Sequence, residues 1–342
     1  DATRQKAQQA FDSNAINTLG QTNLSVTPVS FGSYRLIDEV PAHEEALELA
    51  LSEGINLIDT STTYTDGRSE RLIGRVLRKL IHREQLERSQ VVVVSKIGYL
   101  QGENLRNAVA REPSYEDVVE YHEELWHCIH PNLLQEHLTA SLQRLGLETL
   151  DVCLLHNPEY FLIHTERVGG GTRPALEAEM QRRIEEAFKQ FELERKNGRI
   201  RFYGVSSNTF VDKQAAFTTL SVSALMEIAH RVGGEDHGFR VIQLPMNLLE
   251  AGATASRNTG VNNAETPLEY AKSQDLGVLI NRPLNAIVEG NLVRLATPTV
   301  PTSELDYASA LSALNSVEQE LRTRLTGEAY IQGEAFKFEE FF

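Results

Sequence analysis

Four side chains of different acidity stand where apolar runs end. Asp59 closes INLID, Lys96 closes VVVVSK, His156 closes LDVCLLH, and Tyr64 follows Asp59 by five residues. A carboxylate, an ammonium, a phenol and an imidazole make a set suited to moving protons. A phenol is a poor acid near neutrality, with a free pKa of about 10. An ammonium beside it favours phenolate, so Lys96 is expected to lower the pKa of Tyr64 and make it a usable general acid or base. A buried ammonium needs a partner of its own, and Asp59 is the natural one. Singly, each residue has an ordinary explanation: Asp59 caps a turn, Tyr64 is a rim aromatic, Lys96 snorkels from a strand end, His156 is a hydrogen-bonded core histidine. The chemistry therefore depends on elements that bring all four to one place.

The elements are legible as alternation. Strand candidates at 26–36, 55–61, 90–98, 150–157, 200–208, 239–247 and 276–284 alternate with helical patterns at 41–54, 69–81, 131–147, 221–233 and 267–277. A long region rich in Glu and Arg, helical in pattern, precedes the fifth strand. Strands alternating with helices imply parallel strands joined by right-handed crossovers. A doubly wound dinucleotide-binding sheet would carry G-x-G-x-x-G after its first strand, and FGSYRLIDEV has no such pattern. Successive strands instead end in polar residues: Asp59, Lys96, His156, Ser206 to Asn208, Gln243 and Asn247. In a (β/α)8 barrel the C-terminal strand ends share one mouth, where active sites sit. The fold expected is α/β, a (β/α)8 TIM barrel lacking its last βα unit or closing in an atypical way.

With these motifs in order, the chain resembles the aldo-keto reductase family. The resemblance runs from about residue 26 to 284 through GINLIDTS with Tyr64 and RSERLIG, VVVSK, LDVCLLH, NGRIRFYGVSSN, QLPMN and GVLINRPL. It implies a (β/α)8 barrel, an Asp59–Tyr64–Lys96–His156 tetrad and NADP(H) as cofactor, with NAD(H) not excluded. Reduction of a carbonyl needs a hydride for carbon and a proton for oxygen. Tyr64 then supplies the proton, while His156 holds the oxygen as charge develops there. The resemblance further implies that Ser206, Ser207, Asn208 and Gln243 surround the nicotinamide carboxamide, and that Gly32, Ser33 and Asp59 line the cofactor. Arg282 stands where a side chain contacts the nicotinamide or the pyrophosphate, the competing explanation being a surface ion pair.

The long segments 99–130 and 158–175 carry Tyr99, Tyr121, Trp126, Tyr160 and Phe161, with Gly169 to Gly171 in the second. Loops in these places set barrel specificity. Their aromatics either line a substrate pocket or pack the loops onto the barrel.

Composition bounds the partners. The chain has 342 residues, 33 Lys and Arg against 48 Asp and Glu, a net charge of −15 and 41% hydrophobic residues. Such acidity argues against nucleic acid as the main partner, and no apolar run reaches the ~20 residues of a membrane span. The two cysteines, Cys128 and Cys153, build neither a disulfide framework nor a zinc site, so the expected setting is cytoplasmic, with no metal. The partner expected is a small carbonyl or alcohol. Substrate, direction and oligomeric state are not legible.

The reading divides the chain into an extension at 1–25, a barrel at 26–284 and a helical segment at 285–342, with a helix at 303–325 and no strand after Leu284. An Asp at the start in place of Met and the absence of a visible eighth strand lead to the expectation of a fragment at both ends, truncated at the C-terminus, or of an unusual terminal extension. Two alternatives to an active oxidoreductase stand beside it: a cofactor-binding regulatory subunit without turnover, and an inactive fragment.

Overall fold

The computed structural model describes residues 2–8, 16–213, 216–288, 291–296 and 316. The chain forms two compact units, one of residues 1–245 with 252–281, the other of residues 246–251 with 282–342.

Seven strands build the sheet of the first unit: β1 (Phe31–Gly32), β2 (Leu57–Asp59), β3 (Val92–Ile97), β4 (Leu150–His156), β5 (Ile200–Ser206), β6 (Phe239–Pro245) and β7 (Gly277–Asn281). Each pairs in parallel with its neighbours in sequence, from β1 to β7 without a reversal. That order belongs to a barrel; a doubly wound sheet reverses at its switch point. A side-chain hydrogen bond shows that the sheet curls. Gln243 Nε2 of β6 donates to Asp59 Oδ1 of β2 at 3.2 Å, although strands four places apart in a flat sheet would lie about 19 Å apart. The α/β barrel is thus the fold, with seven of its strands among the described residues.

Burial on both faces explains the composition of the strands. β3 and β4 are buried at every position, as strands between a packed interior and an outer ring of helices must be. Helices α1 (Pro41–Ser52), α2 (Arg68–His82), α3 (Pro131–Leu145), α4 (Arg173–Lys196), α5 (Val222–Gly233) and α6 (Pro267–Ser273) follow the strands. Several start as their sequences suggest, with Pro in the first turn of α1, α3, α4 and α6, and a Thr266–Glu269 capping box on α6. Among the described residues, no helix is long and apolar enough to cross a membrane.

The barrel interior is one apolar cluster. Leu57, Val92, Val94, Val152, Leu154, Val241 and Leu279 meet Leu19, Leu24 and Val26 there. The last three come from an antiparallel hairpin, Asn17–Thr18 with Ser25–Val26, which seals the end where the strands begin. Its turn needs Gly20: the residue has φ +50, and a Cβ there would stand 2.3 Å from Gly277 N at the start of β7. Part of the segment read as an extension therefore completes the core.

The strand expected at 26–36 divides. Ser25–Val26 belongs to the hairpin, and only Phe31–Gly32 joins the barrel. Pro28 has no N–H to give, and Thr27 gives its own to Asn56 Oδ1 at 2.9 Å, so no ladder passes between the two pieces. The segments after β3 and β4 are also more ordered than a loop. Tyr99–Leu100, Val119–His122 and Leu125–His127 make a small antiparallel sheet, and Gly102–Ala110 and Tyr160–Val168 are helices.

In the second unit, Asn285–Val288 pairs antiparallel with Asn291–Arg294. This corrects the expectation of no strand after Leu284. The helix expected at 303–325 lies outside the described residues.

Candidate active site

Four side chains predicted from sequence converge at the C-terminal ends of β2, β3 and β4. The chain leaving β2 stays hydrogen-bonded to β3, with Thr60 N–H on Val94 O and Thr62 N–H on Lys96 O. A tight turn follows, in which Thr65 and Asp66 adopt left-handed conformations. This path carries Tyr64 back over the end of β3. Lys96 is fully buried and uses all three ammonium protons: it donates to Asp59 Oδ2 at 2.8 Å, to Thr60 O at 2.9 Å and to Tyr64 Oη at 3.2 Å. His156 ends β4, its ring 6.1 Å from that of Tyr64 and edge-on to it. Its Nδ1 lies 3.3 Å from Ser61 Oγ.

Burial dominates the electrostatics. It is the largest influence on Lys96 and pulls its pKa down, but Asp59 and Tyr64 together outweigh it, so the ammonium titrates above its ordinary value. The phenol of Tyr64 is also pushed up, first by burial, with Lys96 pulling the other way and Asp59 adding to the rise. The expectation that Lys96 brings Tyr64 below the ordinary phenol value is thus overturned: desolvating a phenolate costs more than one already paired ammonium returns. His156 falls well below the ordinary histidine value, through burial first and then the charge of Lys96, and is neutral at physiological pH.

A hydrogen-bond chain extends the cluster to β5 and β6. Ser206 Oγ donates to Gln243 Oε1 at 2.9 Å, and Gln243 Nε2 donates to Asp59 Oδ1. Both carboxylate oxygens of Asp59 are therefore engaged, one by Gln243 and one by Lys96. Ser207 is buried, its N–H on Gln243 O and its hydroxyl 3.2 Å from that of Thr209. Asn208 donates its backbone N–H to Glu159 Oε1 at 2.9 Å. Gly32 is exposed at the end of β1, in register with Asp59, and nothing lies within 4 Å of a Cβ built on it. Ser33 is buried with its hydroxyl on Asp59 O at 2.8 Å, where it holds the end of β2. Arg282 lies in the second unit and pairs with Glu250, Nη2 to Oε1 at 2.5 Å.

Aromatic rings surround His156. Tyr99 meets it edge-on at 4.6 Å, Tyr160 packs on Tyr99 at 5.1 Å, and His127 stacks on Tyr160 at 5.5 Å. Asn157 Nδ2 donates to Tyr99 Oη at 2.7 Å, and His127 Nε2 lies 2.8 Å from His156 O. A carbonyl only accepts, so His127 holds its proton on Nε2; burial keeps it neutral, with its pKa lowered to about 4.

Sequence reasoning missed Ser61, His127, Asn157 and Glu159. Ser61 stands two residues after Asp59 and Glu159 three after His156, so closeness to a polar strand end was the available signal. Glu159 is a fully buried carboxyl, and burial raises its pKa to about 7.

The NADH-specific methylglyoxal reductase of Escherichia coli (strain K12) is 30% identical over 149 residues, 40% of this chain and 40% of that protein. A candidate voltage-gated potassium channel subunit beta of Schizosaccharomyces pombe is 28% identical over 145 residues, 41% of this chain and 36% of that protein. The chain thus spans about two fifths of the length of the curated relatives it matches. An aldo-keto reductase from Bacillus halodurans, in its holo form, superposes with a TM-score of 0.51 at 20% identity, covering 88% of this chain and 76% of that one, a likeness of fold. The family model described as the aldo/keto reductase family matches residues 29–286, from the first barrel strand to beyond the seventh, and the chain belongs to that family.

Proposed function

We propose that the protein is an NAD(P)H-dependent oxidoreductase that interconverts a carbonyl and an alcohol, with Tyr64 as general acid and base. One observation carries the reading: a single buried ammonium, Lys96, is hydrogen-bonded to both a carboxylate and a phenol at the mouth of an α/β barrel.

The residues at the mouth fit a nicotinamide cofactor. A carboxamide both donates and accepts, and the Ser206–Gln243 pair offers both functions at the strand ends beside Asp59. Space stands open over Gly32. Ser206, Ser207, Asn208 and Gln243 would hold the carboxamide, with Gly32, Ser33 and Asp59 alongside. By the family resemblance Arg282 would contact a phosphate; within the second unit it pairs with Glu250. When bound, the cofactor supplies the hydride. NADP(H) is the form proposed; aldo-keto reductases from Klebsiella pneumoniae have been crystallised with NADP and with NADPH, and the Escherichia coli relative is named for NADH.

Tyr64 stays protonated at neutral pH and is therefore ready to donate. It need not be a strong acid, because an oxygen becoming an alkoxide is far more basic than phenolate. Lys96 stabilises the phenolate left behind, Asp59 holds Lys96 charged, and neutral His156 orients the oxygen. The substrate class is a small aldehyde or ketone, and methylglyoxal belongs in any panel because a relative is named for its reduction.

The test is loss of nicotinamide absorbance at 340 nm across a panel of carbonyls. Tyr64→Phe should lower turnover by about 10²–10⁴-fold while cofactor binding persists; equal turnover in the variant would refute the assignment. A second reading is a regulatory subunit that binds the cofactor without turnover; one partial match is named as a potassium channel subunit beta. It would be supported by tight NADPH binding in a chain that reduces no carbonyl.

A further inference from the structure

A neutral imidazole has one proton for two nitrogens, and the partner of one nitrogen decides what the other can do. For His156 the question is sharp. A substrate oxygen can be held only by a nitrogen that carries the proton, and Nδ1 is already occupied by Ser61 Oγ at 3.3 Å. The neutrality of the ring removes the way out of protonating both nitrogens.

Counting donors and acceptors around Ser61 resolves the direction. Ser61 is fully buried and has one proton. Three acceptors lie within reach: Lys96 O at 3.2 Å, Thr63 Oγ1 at 3.3 Å and His156 Nδ1. Lys96 O already receives two donors, Thr62 N–H at 3.2 Å and Thr62 Oγ1 at 3.1 Å, which fill both its lone pairs. Thr63 brings a proton of its own and can donate to Ser61. The proton of Ser61 is thereby left for Nδ1. The ring also meets Tyr99 in a T-shaped contact, and the His156 backbone carbonyl accepts from His127 Nε2.

We propose that Ser61 is a positioning residue that donates to His156 Nδ1 and so keeps the imidazole proton on Nε2, available to a substrate oxygen, with Thr62 blocking the competing acceptor. The inference rests on the reading of His156 as the group that holds the oxygen. It extends that reading to what the DTST turn is for: Asp59 serves Lys96, Thr60 O accepts from Lys96, Ser61 sets the histidine, and Thr62 keeps Ser61 free to do so.

The experiment is a long-range ¹H–¹⁵N correlation spectrum of the full chain labelled with ¹⁵N-histidine at pH 7.5, with His156 assigned by its loss in His156→Gln. The wild type should show an unprotonated Nδ1 and a protonated Nε2. Ser61→Ala should move the ring toward the Nδ1–H tautomer, and its kcat for carbonyl reduction should fall about tenfold, on the scale of one lost hydrogen bond, with KM for NADPH unchanged. Thr62→Val removes one donor from Lys96 O and should move the tautomer the same way but less, which keeps the test available if Ser61→Ala does not fold. A wild-type ring protonated on Nδ1, or a ring unchanged in both variants, overturns the proposal. The spectrum needs neither cofactor nor turnover, so failure of the oxidoreductase reading would show in the kinetics and failure of this one in the spectrum.

Discussion

Glu159 should make the fold less stable as pH rises from about 4.5 toward 7, and Glu159→Gln should remove that dependence. The carboxyl is 1% exposed and accepts Asn208 N–H through Oε1, while Oε2 has no hydrogen-bond partner among the described residues. Burial raises its pKa from 4.5 to about 7, against the opposing pull of the backbone N–H groups around it. Between those two values the native state holds a proton that the unfolded chain has released. Stability therefore falls with rising pH across the window and levels off above it. At about 1.36 kcal/mol per pH unit, the difference is worth about 3 kcal/mol, nearly all of it felt by pH 8 and less than about a third at pH 5. Gln keeps the acceptor for Asn208 N–H and carries no charge. Urea unfolding at pH 5 and pH 8 measures the effect: the variant's advantage over wild type should be about 2–3 kcal/mol larger at pH 8. An equal difference at the two pH values, or a variant less stable at pH 8, would mean that the ionised carboxylate is held by partners, and the reasoning from burial would fail.

Three further predictions test the same physics elsewhere. Because burial keeps Tyr64 above the ordinary phenol value, carbonyl reduction should show no alkaline loss between about pH 6 and 9; a pH–rate profile with a descending limb near 8 that vanishes in Tyr64→Phe would contradict it. Glu70 is fully buried on α2 and accepts from Ser95, Ser141 and Arg144. Glu70→Ala strands those donors and should destabilise by about 3–5 kcal/mol in urea unfolding, with Glu70→Gln intermediate. A Cβ on Gly204 would stand 1.7 Å from Val241 O, where β5 and β6 shift register, so Gly204→Ala should cost about 3 kcal/mol or more, read as a lowered unfolding midpoint.

The helices that follow the barrel strands, and the later strands themselves, were legible because each follows from local pattern. VVVV before Ser95 and LDVCLL before His156 report burial on both faces, and Pro at the first helical turn reports where a helix starts. The first strand was not legible for the same reason that the others were. The run around VTPVSF has β-like composition throughout, and nothing local says that Asn56, 29 residues on, takes the N–H of Thr27 and ends one strand before the next begins. The hairpin of Asn285–Val288 and Asn291–Arg294 escaped notice because its two four-residue strands are mostly exposed and lack the apolar run that marked the barrel strands.

The site divides along a similar line. That Asp59, Lys96 and His156 meet, with Tyr64 brought in by the turn after Asp59, was readable, since polar residues at successive parallel strand ends face one mouth. How they act on one another was not, because charge–charge attraction can be inferred from residue types whereas desolvation depends on everything packed around them. Lys96 beside Tyr64 was expected to make an acidic phenol; the surrounding core reverses the sign and leaves a protonated phenol beside a charged lysine. That outcome suits a donor to a nascent alkoxide better than a low pKa would, since a phenol ionised at rest has no proton to give. Burial also converts the neighbours from bystanders into determinants. Asp59, with one oxygen on Gln243 and the other on Lys96, ties the amide of β6 to the ammonium of β3, so the charge on Lys96 depends on a carboxylate whose own orientation is set from a strand on the opposite wall of the barrel.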